Sequence, residues 1–109
     1  MKKLLLIATV GFVATALTVK AADVKENYAA NCKKCHGDDG KGDTKMGKKS
    51  GCKDYTDATV QAAMKDDHAF KSLKEGMKDG DKELMKPFGD KLSDDEIKAL
   101  VAHMRSFKK

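Results

Sequence analysis

Two cysteines and a histidine in one short run, Cys32-Lys33-Lys34-Cys35-His36, constrain this chain more than any other feature. The pattern reads as a site for covalent attachment of a c-type haem. Two thiols three positions apart at the end of a helix can each add to one vinyl group on the same porphyrin edge, forming two thioethers. The adjacent histidine is then held beneath the ring, where its imidazole ligates iron as the proximal ligand. Three other readings share parts of the pattern. A thioredoxin-like redox pair uses the same two cysteines but belongs at a strand-to-helix junction, and the sequence offers no strand there. A zinc site would recruit Cys52, yet no second Cys-x-x-Cys or His-x-x-His pair accompanies it. A plain disulfide between Cys32 and Cys35 leaves His36 without a role.

The start of the chain agrees with chemistry carried out after export. Met1, Lys2 and Lys3 form a basic start, residues 4–19 carry no charge, and Val19, Lys20 and Ala21 put small or aliphatic residues where a signal peptidase cuts. Residues 1–21 are therefore expected to be a cleaved secretory signal peptide. The uncharged stretch is shorter than the ~18 or more residues of a membrane span. Periplasmic localisation follows as the expectation, and c-type haem is attached outside the bacterial cytoplasm.

Without the leader, the net charge falls from +5 to +2 and about a third of residues 22–109 are apolar. Acids are scattered among the lysines, and only Tyr28, Tyr55, Phe70, Phe88 and Phe107 remain as aromatics, so a nucleic-acid partner is not indicated. A chain of this size with so few large apolar side chains has difficulty burying enough surface to offset its ordering entropy. A large apolar cofactor would supply the missing core.

The pattern predicts one all-α domain. Asp23 is placed to cap a short helix through Val24, Tyr28 and Ala29, which runs into Cys32. From Gly37 to Gly51, glycines alternate with Asp, Lys, Thr and Ser, which predicts a loop. Short helices are expected near Asp57 to Met64 and from Asp67 to Glu75, with Asp67 as N-cap and Gly76 just past the end. Met77 to Asp90 reads as irregular. Ser93 with Glu96 fits a capping box, Leu92 with Ile97 fits the hydrophobic staple, and Ile97, Leu100, Val101, Met104 and Phe107 repeat at helical spacing. No stretch alternates at period two, so a sheet is not expected.

From Val24 to Phe107, the chain resembles the small class I monohaem cytochromes c of the bacterial periplasm. The resemblance is carried by the first helix ending in CKKCHG, the GDDGKGD loop, the segment LMKPFGDKLSDDEIKALVAHMRSF and the overall size. It implies a compact fold in which about four short helices wrap one covalently bound haem, with the first and last helices crossing beside it. Residues 22–109 would form that monohaem domain.

A reversible one-electron carrier keeps both axial positions filled by protein, and methionine sulfur is a soft ligand that favours Fe(II). The candidates are Met46, Met64, Met77, Met85 and Met104. Met104 lies on the apolar stripe of the last helix and Met64 at the end of a short helix, so both read as core. Met46 falls in the glycine-rich loop. Met85, ahead of Pro87, Phe88 and the capped last helix, stands where the resemblance implies the distal methionine, although Lys86 separates it from the proline. Met77, also in a non-helical segment, is the runner-up. His68 and His103 read as solvated helix histidines.

Cys52 is an odd third thiol, either reactive or a small buried residue near the porphyrin edge. Residues 33–53 carry a local charge of +4, which would turn that face toward an acidic partner. The expected function is thus periplasmic electron transfer by a monomer, without bond chemistry on a small-molecule substrate. The resemblance implies redox proteins as donor and acceptor, membrane respiratory complexes among them. The alternative is a haem protein with a displaceable sixth ligand, acting as a peroxidase-like enzyme or gas sensor, but no side chain is recognisably placed as a distal acid or base.

Overall fold

The last helix organises the rest. In the computed structural model, which describes residues 21–109, α6 (Asp94–Arg105) starts at Ser93, whose hydroxyl accepts from the Glu96 amide while the Glu96 carboxylate accepts from the Ser93 amide. This reciprocal box satisfies two donors that a helix N-terminus otherwise leaves open. Ile97, Leu100, Val101 and Met104 form the buried stripe of α6, and Leu92, just before the cap, is buried with them.

The first described helix, α1 (Ala21–Asn31), packs against α6. Asn27 donates to the second Glu96 oxygen at 2.9 Å, and the Tyr28 ring lies 4.6 Å from His103 and 5.5 Å from Phe107. The crossing implied by the resemblance therefore appears here as a contact between these helices. Asp23 lies inside α1 rather than capping it. Almost all of the leader sequence lies outside the described residues, and no described helix is long and apolar enough to cross a membrane.

After the short helix α2 (Lys33–His36), the glycine-rich segment does not stay a loop throughout. Thr44 accepts from the Gly47 amide and starts α3 (Lys45–Ser50), a local cap that the glycine content obscured. Next, α4 (Ala58–Ala63) is capped by Asp57, and α5 (Asp66–Glu75) has Lys65, not Asp67, at its N-cap position. Asp66 and Asp67 instead lie in the first turn of α5, where their charge favours the positive end of the helix dipole.

A sheet is present, contrary to the expectation from patterning. Strands β1 (Met77–Asp79) and β2 (Lys82–Met85) pair antiparallel around a two-residue turn, Gly80-Asp81. Gly80 has φ of 60°, and a glycine at the first central position is the usual solution for such a turn. The strands are mostly exposed and too short to alternate, so only the Asp79-Gly80 dipeptide marked them in the sequence.

Between α4 and α6 lies a satisfied polar staple. Gln61, 3% exposed, donates to the carbonyls of Tyr55 and Met104, while Arg105 donates to the carbonyls of Gln61 and Met64 and to Asp66. Arg105 thereby closes the carbonyl end of α4, and the buried amide has its partners.

The Glu96 clamp has a pH signature. Hydrogen bonds from Ser93 and Asn27 hold the carboxyl below its ordinary value, which is about 4.3. Its stabilisation is complete above that value and is lost as pH falls through the lowered one. The denaturation midpoint should fall on acidification from about pH 6 to pH 3, and fall less in Glu96→Gln; equal losses in the two proteins would contradict the clamp.

Candidate functional site: a thiol and histidine cavity

Cys32 sits at the joint between α1 and α2, with its amide bonded to the Tyr28 carbonyl at 2.8 Å. One turn later the chain must leave the helix, which exposes carbonyls that have no partner in the helix itself. Three of them are taken up in turn. The Thr44 hydroxyl donates to the Cys35 carbonyl at 2.7 Å, the Gly42 amide to the His36 carbonyl at 2.8 Å, and the Tyr28 hydroxyl to the Gly37 carbonyl at 2.5 Å. These bonds fix the backbone of the Cys-x-x-Cys-His segment from three directions.

Gly47, on α3, lies against the same segment. A Cβ at this position would run into the carbonyl oxygens of Cys35 and Gly42, so α3 approaches α2 as closely as the absence of a side chain allows. The His36 ring meets the Tyr55 ring edge-on at 5.7 Å. Burial lowers the pKa of His36 and so favours the neutral imidazole, the form that ligates metals. Its Nδ1 is buried and has no hydrogen-bond partner among the described residues.

These side chains face a cavity of about 770 Å³. Its wall includes Cys32, Cys35, Cys52 and His36 together with Met46, Met64, Met77, Met85, Phe88, Leu100 and Met104. The volume falls within the ~300–1,000 Å³ of clefts that bury cofactor-sized molecules, and an apolar lining with a few convergent polar groups is typical of them. Burial and the neighbouring Cys35 push the Cys32 thiol up to about 11, and burial raises Cys52 as well. The thiols are thus protonated near neutral pH. A second cleft of about 330 Å³, between α5 and α6, contains neither thiol nor histidine.

The donor set distinguishes the readings of the motif. Among the described residues, no three His, Cys, Asp or Glu side chains gather as a metal-binding group, so Cys52 does not complete a zinc site with Cys32, Cys35 and His36. Two thiols, an imidazole and an apolar hollow beside them do suit a porphyrin, which needs flat apolar walls and few polar contacts.

The family model described as "Cytochrome C oxidase, cbb3-type, subunit III" matches residues 19–104. The chain belongs to this cytochrome c family. Its cofactor is accordingly haem c, covalently bound and containing iron, and the family's general role is haem-based electron transfer. A solved structure titled "KustC0563 c-type cytochrome" is 39% identical, with a TM-score of 0.69, covering 77% of this chain and 95% of that one. A second solved structure, of a mutant of Kustc0563, is 37% identical at the same TM-score, covering 79% of this chain and 99% of that one. No curated protein matches the chain. The mostly helical class I cytochrome c fold expected from the sequence is thus the observed one, with a small hairpin added.

The remaining candidates are now placed. Met104 is buried and Met64 packs partly buried against the core. Met46 is on α3 and 42% exposed. His68 is exposed at the cavity edge, whereas His103 stacks against Tyr28 and Phe107 and is absent from the cavity wall. The hairpin that brings Met77 and Met85 to one cavity is the part that sequence reasoning missed.

The cytochrome should be sensitive to Gly47. Gly47→Ala forces α3 away from the Cys35 carbonyl and should lower the stability of the haem-loaded protein by about 1–3 kcal/mol. An unchanged denaturation midpoint would show that this close approach is not required.

Proposed function

We propose that this cytochrome is a periplasmic one-electron carrier in which Cys32 and Cys35 hold the haem as thioethers and His36 and Met85 are the axial ligands of its iron. The reading rests on one observation: these four side chains line the same cavity although Met85 is far from the motif in sequence. When bound, haem c supplies an Fe(III)/Fe(II) couple that takes up and releases one electron. The protein's part is to hold both axial donors in place, so that little rearranges with the redox state and no outside molecule reaches the metal.

Each donor is held by its own element. His36 is fixed by the carbonyl bonds at the end of α2. Met85 ends β2 and packs against the buried cluster that includes Tyr28, Phe88, Leu100 and Met104. The following segment is pinned to α5, where the amides of Phe88 and Gly89 donate to the carbonyls of Leu73 and Lys74. Lys86, which separates Met85 from Pro87, is exposed and does not disturb this arrangement.

The partners proposed are redox proteins, one donor and one acceptor, with membrane respiratory complexes among them. Lys34, Lys53, Lys65, Lys86 and Lys91 border the cavity and make no ion pair among the described residues, against Glu83 as the single acid there. Such a rim favours encounter with an acidic surface. No small-molecule substrate is proposed, and export rests on the leader-like residues 1–21.

The test is the absorption spectrum of the periplasmically matured protein, oxidised and reduced, with carbon monoxide added to the reduced sample. Low-spin c-type bands that carbon monoxide leaves unchanged are expected. A high-spin spectrum shifted by the gas would instead indicate a displaceable sixth ligand and redirect the assignment to a peroxidase-like or sensing role.

A further inference from the structure

Met77 and Met85 are direct partners across the hairpin. Residues paired in this way have Cβ atoms about 4.5–5.5 Å apart and project to the same face of the sheet. Both methionines accordingly line the cavity. On β1 the pairing steps from Met77 to Lys78, while on β2 it steps from Met85 to Glu83, so Leu84 is an extra residue forming a β-bulge. A bulge of this kind re-aims the side chains beside it. It accounts for Leu84 and Met85 both being half-buried on the cavity wall although they are adjacent in sequence.

The two thioethers differ in how firmly they are held. Met85 is half-buried, packs on the core and sits at the hairpin base, where Gly76 lies so close to the Met85 carbonyl and the Pro87 nitrogen that no Cβ would fit. Met77 is 42% exposed, and its side chain retains more conformational freedom. Met46 is equally exposed and also borders the cavity, but it stands on α3 rather than on the hairpin. Only Met77 therefore shares Met85's face of the hairpin.

On the basis of Met85 as the resident axial ligand, we propose that the distal side of this cytochrome carries two methionine donors, with Met77 as a reserve ligand that takes the iron when the Met85 sulfur is absent or detached. In the exchange one iron–sulfur bond breaks and another forms, with no electron or proton transferred. The flexible, unbranched methionine side chain suits a donor that must reach from a neighbouring strand position. The hairpin backbone need not be dismantled, because the two residues already face the same space.

The test uses the haem-loaded protein with Met85→Leu, a replacement of nearly equal volume, and Met85→Ala, which leaves room for Met77 to approach. Each is compared with the corresponding double variant carrying Met77→Leu, and Met77→Leu alone is measured beside them. The readouts are the ferric sulfur-to-iron charge-transfer band and the affinity of the ferrous form for carbon monoxide, with far-ultraviolet circular dichroism confirming the fold. The proposal expects at least one Met85 single variant to keep the charge-transfer band and its double variant to lose it. Carbon monoxide should bind that single variant about tenfold more weakly than its double, because a competing ligand lowers apparent affinity by the fraction of open iron. If both single variants are already high-spin and bind the gas as their doubles do, Met77 is no reserve ligand, although Met85 stands as the resident one. If Met77→Leu alone removes the band, Met77 is the resident ligand, and both this proposal and the Met85 assignment fall. A band that survives in a double variant would assign the sulfur to another methionine and overturn the proposal.

Discussion

The capture of three carbonyls at the end of the Cys-x-x-Cys-His segment holds the site together. The donors come from three places: Tyr28 one helix earlier, Gly42 in the following loop and Thr44 at the start of α3. Left open to the protein interior, such carbonyls would each cost about the desolvation of an unmade hydrogen bond, roughly 1–3 kcal/mol. Satisfying them ties the order of the loop to the position of His36. Thr44 does this twice over, since the same hydroxyl that donates to the Cys35 carbonyl accepts the Gly47 amide that opens α3. The glycine-rich loop thus becomes a brace around the Cys-x-x-Cys-His segment.

The second dependence is on volume. Among the described residues, only Ile97 and Leu100 are large side chains with less than 2% of their surface exposed, and the buried hydrophobic cluster of Tyr28, Cys32, Phe88, Leu92, Ile97, Leu100 and Met104 lies along the cavity. Tyr28, Cys32, Phe88, Leu100 and Met104 belong both to that cluster and to the cavity wall. The side chains that would ordinarily pack on one another therefore enclose a space that the haem is suited to fill. Polar contacts such as the Gln61 and Arg105 staple hold the helices around that space without filling it. This is how a chain with about a third of its residues apolar can form a defined interior.

The parts of this architecture that are local in sequence were legible there. Ser93, Glu96, Leu92 and Ile97 lie within a few residues of one another, so the cap and stripe of α6 could be read from spacing alone. The cysteine and histidine spacing likewise marked a segment that lines the cavity. Other features depended on competing local signals. Lys65 rather than Asp67 begins α5 because two consecutive acids, Asp66 and Asp67, can both occupy the first turn. Glycines concealed α3, whose cap is one threonine. The hairpin was hidden because its strands are short and solvated, and because the bulge at Leu84 breaks the alternation that would reveal a strand. Met85 could be singled out only through family resemblance, since its sharing a cavity with the motif is a tertiary fact.

The central claim, that the haem completes the interior, is tested most directly by equilibrium unfolding of the full chain without haem, obtained by expression without the attachment machinery or as the double variant Cys32→Ala and Cys35→Ala. The account predicts a chain that is largely unfolded, with no cooperative transition, whereas the haem-loaded protein melts in one. A cooperative, native-like melt of the haem-free chain would contradict it, and would mean that the helices and their carbonyl bonds suffice to hold the cavity open.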